Sequence, residues 1–366
     1  MTERSVRLGI VSFLKAVGIR VIALLVGGAV AFGMAEGAFR LFRPQRTGPL
    51  RTIYDPRLGS IPVPNLRGRV AVPGVHTYSF SHDSMGMRMT GFTDRKNAAK
   101  RILLLGDSFA YGVGVDDNQT FAYLIERNLS QGGFPVAVIN AGHPGKGTAY
   151  ALRLFELKGH DLKPNVTVLC FFSNDFWDNS VSNLYRVSDD GTLSVALRSA
   201  TPRSRTRRLV RSAATWVFAW SHAANASRSY VARRIYRFPV YDDGFVSDAN
   251  RRLTETYLRY LLEKVRGSGG SLVAFYIPAG IEVGHRRETG QVSKDEAAFA
   301  ELLVRLGMPP FSLTPALANA RLSLEALYFD EERRGVPNGH LTPAGNIIAA
   351  DYMTGVVRAQ LESVRR

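Results

Sequence analysis

The chain has few of the residues from which covalent or metal cross-links are built. Its 366 residues include one cysteine, Cys170, so an internal disulfide framework and a cysteine-based zinc cluster are both excluded. The seven histidines show no metal-ligand spacing, and we predict neither a metal ion nor another cofactor. The 34 glycines and 17 prolines follow no period, which excludes collagen-like and low-complexity chains.

Acidic residues are missing where basic residues are dense. The net charge is +16, from 47 Lys and Arg against 31 Asp and Glu. Residues 1–50 contribute +5, and residues 191–241 contribute +10 because they contain ten arginines and no Asp, Glu or Lys. The rest of the chain carries only +1. The basic character therefore belongs to two segments, while the 45% of hydrophobic residues is ordinary for a globular protein.

The longest apolar run lies near the N-terminus. Residues 21–35 are uncharged and mostly apolar, and the run reaches twenty residues if it is read back to Ala16 through Arg20. About 20 apolar residues span a bilayer, and an arginine near the helix end can reach the headgroups. We therefore predict a basic region and signal anchor over residues 1–43, with the following domain outside the cytoplasm. A cleaved signal peptide is the alternative, since residues 29–31 (Ala-Val-Ala) form a weak cleavage site.

Beyond the anchor, the pattern predicts two further regions. Residues 44–100 are rich in proline and glycine and indicate a linker with an irregular prefix subdomain. From residue 101 to 366, short apolar runs alternate with helical patterns. Strands are predicted at 101–105, 136–139, 166–172 and 271–277, and helices at 118–129 with Asn118 as N-cap, 149–157, 253–265, 295–306 and 346–361. This alternation predicts a parallel sheet with helices on both faces, a three-layer α/β/α domain.

Functional residues of such sheets lie at the carboxyl ends of the strands. The first predicted strand ends in Gly106-Asp107-Ser108, and the second in a glycine-rich loop, residues 140–148, that contains Gly145. The third ends in Asn174-Asp175, and His340 lies in the loop before the last helix. Each signal alone is weak, because a serine N-cap, a tight turn or an Asx-turn would also explain it.

Taken in order, these segments resemble the SGNH/GDSL hydrolase superfamily across roughly residues 101–361. Gly106-Asp107-Ser108 matches block I, residues 140–145 match block II, Asn174-Asp175 matches block III, and the His340 loop matches block V. Residues 54–59 and 84–88 look like the prefix of membrane-anchored bacterial members. The resemblance implies a flavodoxin-like sheet order and a serine esterase activity.

The resemblance also implies roles for individual residues. Ser108 would be the nucleophile, and His340 its general base and then the acid that protonates the leaving alcohol. The oxyanion would be held by the backbone N–H groups of Ser108 and Gly145 and by the side chain of Asn174. Asp107 and Asp175 would lie beside this site.

The orienting acid of the triad is missing from its usual place. Two or three residues before His340 the chain has Asn338 and Pro337, and an asparagine cannot stabilise imidazolium as a carboxylate does. Three interpretations stay open: a Ser–His dyad oriented by Asn338 or a backbone carbonyl, an acid supplied by residues 330–332 (Asp-Glu-Glu), or a fold that has lost hydrolysis and kept ligand binding.

The second basic segment, residues 191–241, is an insert between the third and fourth predicted strands. Within residues 203–220 it places five arginines beside Trp216 and Trp220, a pattern typical of a helix at a membrane surface. An anionic polysaccharide or lipid headgroup is a second possible partner. No nucleic acid is expected, since an exported domain would not meet it. A core-packed helix with a solvated arginine face explains the pattern equally well.

These observations predict a single-pass, membrane-anchored esterase, with its catalytic domain periplasmic or otherwise extracytoplasmic. It would cleave or transfer an O-acyl ester of a carbohydrate or lipid-linked substrate. The alternative is a catalytically impaired carbohydrate-binding or assembly protein.

Overall fold

The computed structural model describes residues 3–49, 51–73, 75–91, 98–188, 190–196, 217–235, 245–330 and 339–363. The helices are α1 (Glu3–Phe42), α2 (Ser108–Tyr111), α3 (Phe121–Gln131), α4 (Thr148–Leu162), α5 (Asp175–Ser180), α6 (His222–Ile235), α7 (Asp248–Gly267), α8 (Gly280–Thr289), α9 (Lys294–Arg305), α10 (Thr314–Ala318), α11 (Leu324–Leu327) and α12 (Pro343–Ser363). The strands are β1 (Thr52–Asp55), β2 (Gly59–Pro62), β3 (Arg67–Val72), β4 (His76–Ser81), β5 (Lys100–Gly106), β6 (Val136–Asn140), β7 (Val166–Phe172), β8 (Tyr185–Val187), β9 (Leu193–Val195), β10 (Ser271–Ile277) and β11 (Phe311–Ser312).

The chain divides into two compact units. The first comprises residues 1–50, 71–73 and 206–238, and the second comprises residues 51–70, 74–205 and 239–366. The domain boundaries given by the sequence stay predictions.

The first unit is built on α1. Its part from Lys15 to Phe42 is long and apolar enough to cross a membrane, and the apolar stretch is exposed along its length. The other described elements of this unit are a helical turn at residues 217–220 and α6. Residues 197–216 lie outside the described part of the chain. They include most of the predicted surface helix at residues 203–220, with Trp216 and the five arginines before it.

The second unit contains a five-stranded parallel sheet in the order β11-β10-β7-β5-β6. Numbered by sequence within the sheet, this is the order 2-1-3-4-5, the flavodoxin-like arrangement. The central strands are apolar along their whole length because both sheet faces are covered. Leu103 and Leu105 of β5 pack on one side in a core shared with α4, α7 and α9, while Ile102 and Leu104 pack on the other with α3 and α12. The predicted three-layer α/β/α fold is confirmed.

Local details differ from the sequence prediction, for example at the start of α3 and at the last strand of the sheet. Asn118 is not the N-cap of α3, because residues Asp117–Gln119 form a 3₁₀ turn and the helix begins after Thr120. The Thr120 hydroxyl accepts a hydrogen bond from the Tyr123 N–H at 3.2 Å. The fifth strand, β11, was not predicted, because two residues are too few to show a strand periodicity.

Candidate functional site

The turn after β5 presents Ser108 at the carboxyl edge of the sheet. Gly106 has a φ of +147°, and a side-chain Cβ there would lie 2.5 Å from the Cys170 carbonyl oxygen, so only glycine fits. Asp107 is the N-cap of α2, and its Oδ1 accepts a hydrogen bond from the Phe109 N–H at 2.9 Å. Ser108 is therefore fixed as the first residue of a short helix, beside a buried carboxyl group.

Ser108 and His340 meet although 232 residues separate them in sequence. The Ser108 Oγ lies 2.8 Å from the His340 Nε2. The Asp107 Oδ2 is a second acceptor for the one proton of this hydroxyl, at a longer distance of 3.3 Å. The imidazole packs against the Phe109 ring, with 5.0 Å between the ring centroids. The arrangement can pass the serine proton to an imidazole nitrogen, as nucleophilic catalysis by serine requires.

A backbone ladder fixes the position of His340 in its loop. The Phe329 N–H donates to the His340 carbonyl oxygen at 2.9 Å, and the Gly339 N–H donates to the Phe329 carbonyl oxygen at 2.8 Å. The described part before the loop ends at Asp330, which is exposed. Asn338, Glu331 and Glu332 lie outside the described residues, so the group that orients the imidazole stays a prediction.

The two other predicted oxyanion donors follow the strands on either side of β5. Gly145 lies in the loop after β6, with a φ of +71° and open space where a Cβ would be. Asn174 is the N-cap of α5, directly after β7. β6 and β7 both pair with β5 in parallel, so all three loops leave the same edge of the sheet. The oxyanion hole itself stays a prediction.

Three carboxyl groups lie near this edge. Burial raises the pKa of Asp107 and of Asp175, and repulsion from Asp107 adds to the effect on Asp175. Burial also raises the pKa of Asp178 to about 7. Within the described part of the chain, Asn174 Oδ1, Asp175 Oδ1 and Asp178 Oδ2 are buried and accept no hydrogen bond. These three oxygens are buried, so they are not exposed to a ligand in this conformation.

His143 is a residue of the glycine-rich loop to which sequence reasoning gave no role. Its ring is buried, with Nδ1 3.1 Å from the Pro144 carbonyl oxygen and Nε2 3.3 Å from the Ser60 Oγ of β2. Burial, and after it the charge of Lys146, lowers the pKa of His143 to about 3. The ring is therefore neutral at physiological pH, and its contacts join Ser60 of the prefix to the loop that contains Gly145. The sequence feature that could have drawn attention to His143 is its position in the glycine-rich loop.

Arg88, the last residue of the prefix motif at residues 84–88, contacts the chain that follows the turn of Ser108. Its side chain is 1% exposed. The guanidinium donates to the carbonyl oxygens of Tyr111, at 2.9 Å, of Val115, at 2.6 Å, and of Gly112, and it pairs with Asp117 at 2.9 Å. The Arg88 N–H also donates to the Asn140 carbonyl oxygen at 3.0 Å. One residue thus ties the end of α2 to the end of β6.

Replacing Arg88 by alanine is expected to lower the free energy of unfolding by about 3–5 kcal/mol, because the partly buried carboxylate of Asp117 and three carbonyl groups lose a fully buried donor. Urea unfolding at pH 7 measures this change. The matched control is Arg57→Ala in the same prefix, where the side chain is 57% exposed and its Asp55 contact is 3.9 Å long; we expect less than about 1 kcal/mol there. Equal losses in both variants would contradict the role of Arg88.

The described residues contain no group of three or more His, Cys, Asp or Glu side chains placed to hold a metal ion. Cys170 is buried in β7.

Comparison with known proteins adds a family match. The model of the family described as GDSL-like lipase/acylhydrolase matches residues 104–347, more than half of the chain. No curated protein sequence matches. The solved lipase/acylhydrolase from Enterococcus faecalis is 16% identical, with 71% of this chain and 96% of that chain covered and a TM-score of 0.39. The acetyl xylan esterase AlAXEase is 14% identical, with 70% and 99% covered and a TM-score of 0.41.

Proposed function

Because this chain belongs to the GDSL-like lipase/acylhydrolase family and is a hydrolase of ester bonds, we propose that it cleaves or transfers an O-acyl group of a carbohydrate or lipid-linked substrate, with Ser108 as nucleophile. The observation that carries the proposal is the 2.8 Å contact between the Ser108 hydroxyl and the His340 imidazole at the carboxyl edge of the sheet.

The reaction follows from this contact. The Ser108 Oγ attacks the ester carbonyl carbon, and His340 Nε2 takes the hydroxyl proton. His340 then protonates the leaving alcohol, which departs and leaves the acyl group on Ser108. Water, or a hydroxyl group of an acceptor, then gives its proton to His340 as its oxygen attacks the acyl carbon, and the Ser108 oxygen leaves with that proton from His340. Hydrolysis and transfer differ only in that second nucleophile.

Negative charge develops on the carbonyl oxygen during both attacks. We assign its stabilisation to the N–H groups of Ser108 and Gly145 and to the Asn174 amide. Their common origin at three adjacent strand ends supports the assignment. Each donor of such a set contributes about 10²–10³ in rate.

We further propose that α1 anchors the protein in a membrane, with the catalytic domain on the extracytoplasmic side. The length, apolar character and exposure of the stretch Lys15–Phe42 support the anchor, and a membrane location brings lipid-linked substrates within reach. Because Asn338 stands where the orienting acid of the triad is expected, one other function is favoured: binding of acylated carbohydrate without cleavage.

The full-length protein in detergent should release acetate from p-nitrophenyl acetate and from O-acetylated oligosaccharides. Release of p-nitrophenol and of acetate measures this. Binding of the oligosaccharide without turnover, together with no covalent labelling by a fluorophosphonate, would support the non-catalytic function and reject the esterase.

A further inference from the structure

Glu36 is a buried carboxylate near the end of an otherwise exposed apolar helix. Only 7% of the residue is exposed. Its two oxygens accept hydrogen bonds from the Ser221 Oγ at 2.8 Å, from the His222 N–H at 3.0 Å and from the Ala223 N–H at 2.9 Å. These donors lie about 185 residues further along the chain, at the start of α6 in the basic insert. Glu36 therefore ties the insert to α1.

The chemistry of a helix N-terminus explains why a carboxylate is used here. The first N–H groups of α6 have no partner within the helix, and the helix dipole adds partial positive charge at that end. Ser221 caps the helix, since its Oγ accepts a hydrogen bond from the Ala224 N–H at 3.1 Å. Arg40, one turn after Glu36 on α1, donates to the same carboxylate at 2.7 Å. We call these five residues, Glu36, Arg40, Ser221, His222 and Ala223, the Glu36 clamp.

The sequence of α1 sets the depth of the clamp in a membrane. Between Arg20 and Glu36 the helix has no ionisable residue, and at 1.5 Å per residue this interval is about 24 Å long. The hydrocarbon core of a bilayer is about 30 Å thick, and an arginine at one end can reach its headgroups. Glu36 and the start of α6 would then lie at the opposite headgroup layer.

The surface around the clamp suits that layer. Exposed aromatic side chains are present at Phe42, 77% exposed, Trp220, 39%, and Tyr230, 62%. Trp and Tyr are enriched at membrane interfaces. The Arg40 guanidinium lies 5.7 Å from the centre of the Trp220 ring and remains half exposed. By sequence, the insert of residues 191–241 carries ten arginines and no acid, and each basic residue near an anionic leaflet contributes about 1 kcal/mol to binding.

We propose that the first unit is a binding surface for anionic lipid headgroups, in which the Glu36 clamp holds residues 217–235 against the membrane interface. The clamp gives residues 217–235 a fixed depth, so that Trp220 and Tyr230 enter the headgroup layer together with the exposed side chains of Arg40 and Arg228. The proposal rests on the anchoring part of the proposed function. It does not depend on the esterase activity.

The depth of Trp220 tests the proposal in the full-length chain. With Trp177→Phe and Trp216→Phe, Trp220 is the only tryptophan. The protein is placed in vesicles that contain lipids brominated along the acyl chain, with either 30% phosphatidylglycerol or phosphatidylcholine alone. Flotation first reports whether the protein is in the vesicles, which tests the anchor separately, and tryptophan quenching then reports the depth of Trp220.

We expect bromines near the headgroups to quench the fluorescence of Trp220, about twofold more strongly in the anionic vesicles than in phosphatidylcholine. This difference should shrink in 0.5 M salt, because the screening length falls to a few ångströms. Glu36→Ala should lower the quenching at least about twofold while flotation is unchanged, and Glu36→Gln should have a smaller effect because its amide oxygen still accepts. The matched control is Glu362→Ala, which also removes a carboxylate paired with an arginine four residues away but at a half-exposed site.

Three results would overturn the proposal in protein that floats with the vesicles: no quenching of Trp220, equal quenching in both lipids, or quenching that Glu36→Ala leaves unchanged. A thermal unfolding transition equal to that of the parent shows that the variant is folded. Protein that does not float at all would instead reject the anchor, and with it the basis of the proposal.

Discussion

Replacing Ser108 by alanine is expected to lower kcat for p-nitrophenyl acetate by about 10⁴-fold or more and to abolish labelling by a fluorophosphonate. The reason is that the Ser108 Oγ is the atom 2.8 Å from the His340 Nε2, and the methyl group of alanine can neither attack an ester nor give up a proton. Active-site titration and steady-state kinetics measure both effects.

The matched control is Ser180→Ala. Ser180 is an exposed serine at the end of α5 whose hydroxyl donates to the Trp177 carbonyl oxygen at 2.7 Å, and we expect its removal to change kcat less than about twofold. The effects of substitutions on kcat are not additive when the residues act together. The kcat of Ser108→Ala combined with His340→Gln should therefore be little lower than that of Ser108→Ala alone. Undiminished labelling of the Ser108→Ala protein would reject Ser108 as the nucleophile.

The second large effect is expected at Asn338. Exchange of the triad Asp for Asn lowers kcat about 10⁴-fold in one well-studied serine protease, so that value is the upper limit for the gain that Asn338→Asp can give. A carboxylate would stabilise the imidazolium that forms as Ser108 attacks, which should raise kcat and move the acidic limb of the pH–rate profile to higher pH. The profile of kcat between pH 5 and 9 measures both.

The competing source of the acid is the run Asp330-Glu331-Glu332, and single alanine variants of these residues are the controls. If one of them orients His340, its removal should cost about 10²-fold or more in kcat, and Asn338→Asp should add little. Because Asn338 precedes a glycine, aged protein can acquire the aspartate by deamidation, and the mass of each preparation should be checked. A higher kcat in Asn338→Asp, with kcat unchanged in the three alanine variants, supports the Ser–His dyad. No gain in Asn338→Asp, with a loss of kcat in one alanine variant, assigns the orientation of His340 to that acid.

Unbroken apolar runs in the sequence located four of the five strands of the sheet. β7 and β10 have the predicted bounds, 166–172 and 271–277, because a buried parallel strand is an unbroken apolar run and its ends are marked by polar residues or glycine. The short motifs then placed Ser108 and His340 as partners, and their hydroxyl and imidazole are in contact. A motif could do this because the chemistry demands particular residue types at strand ends.

Other features were decided only by the tertiary structure. The sequence shows Arg88 as part of a prefix motif, but its burial and its contacts with the end of α2 depend on how the chain packs. Glu36 reads as one charge after an apolar run, and its partners at the start of α6 lie 185 residues away. Composition and periodicity describe neighbours along the chain, so they determine where strands, helices and apolar segments form. Which buried charge meets which donor depends on contacts between distant segments, and a buried charge is tolerated only where the fold supplies those contacts.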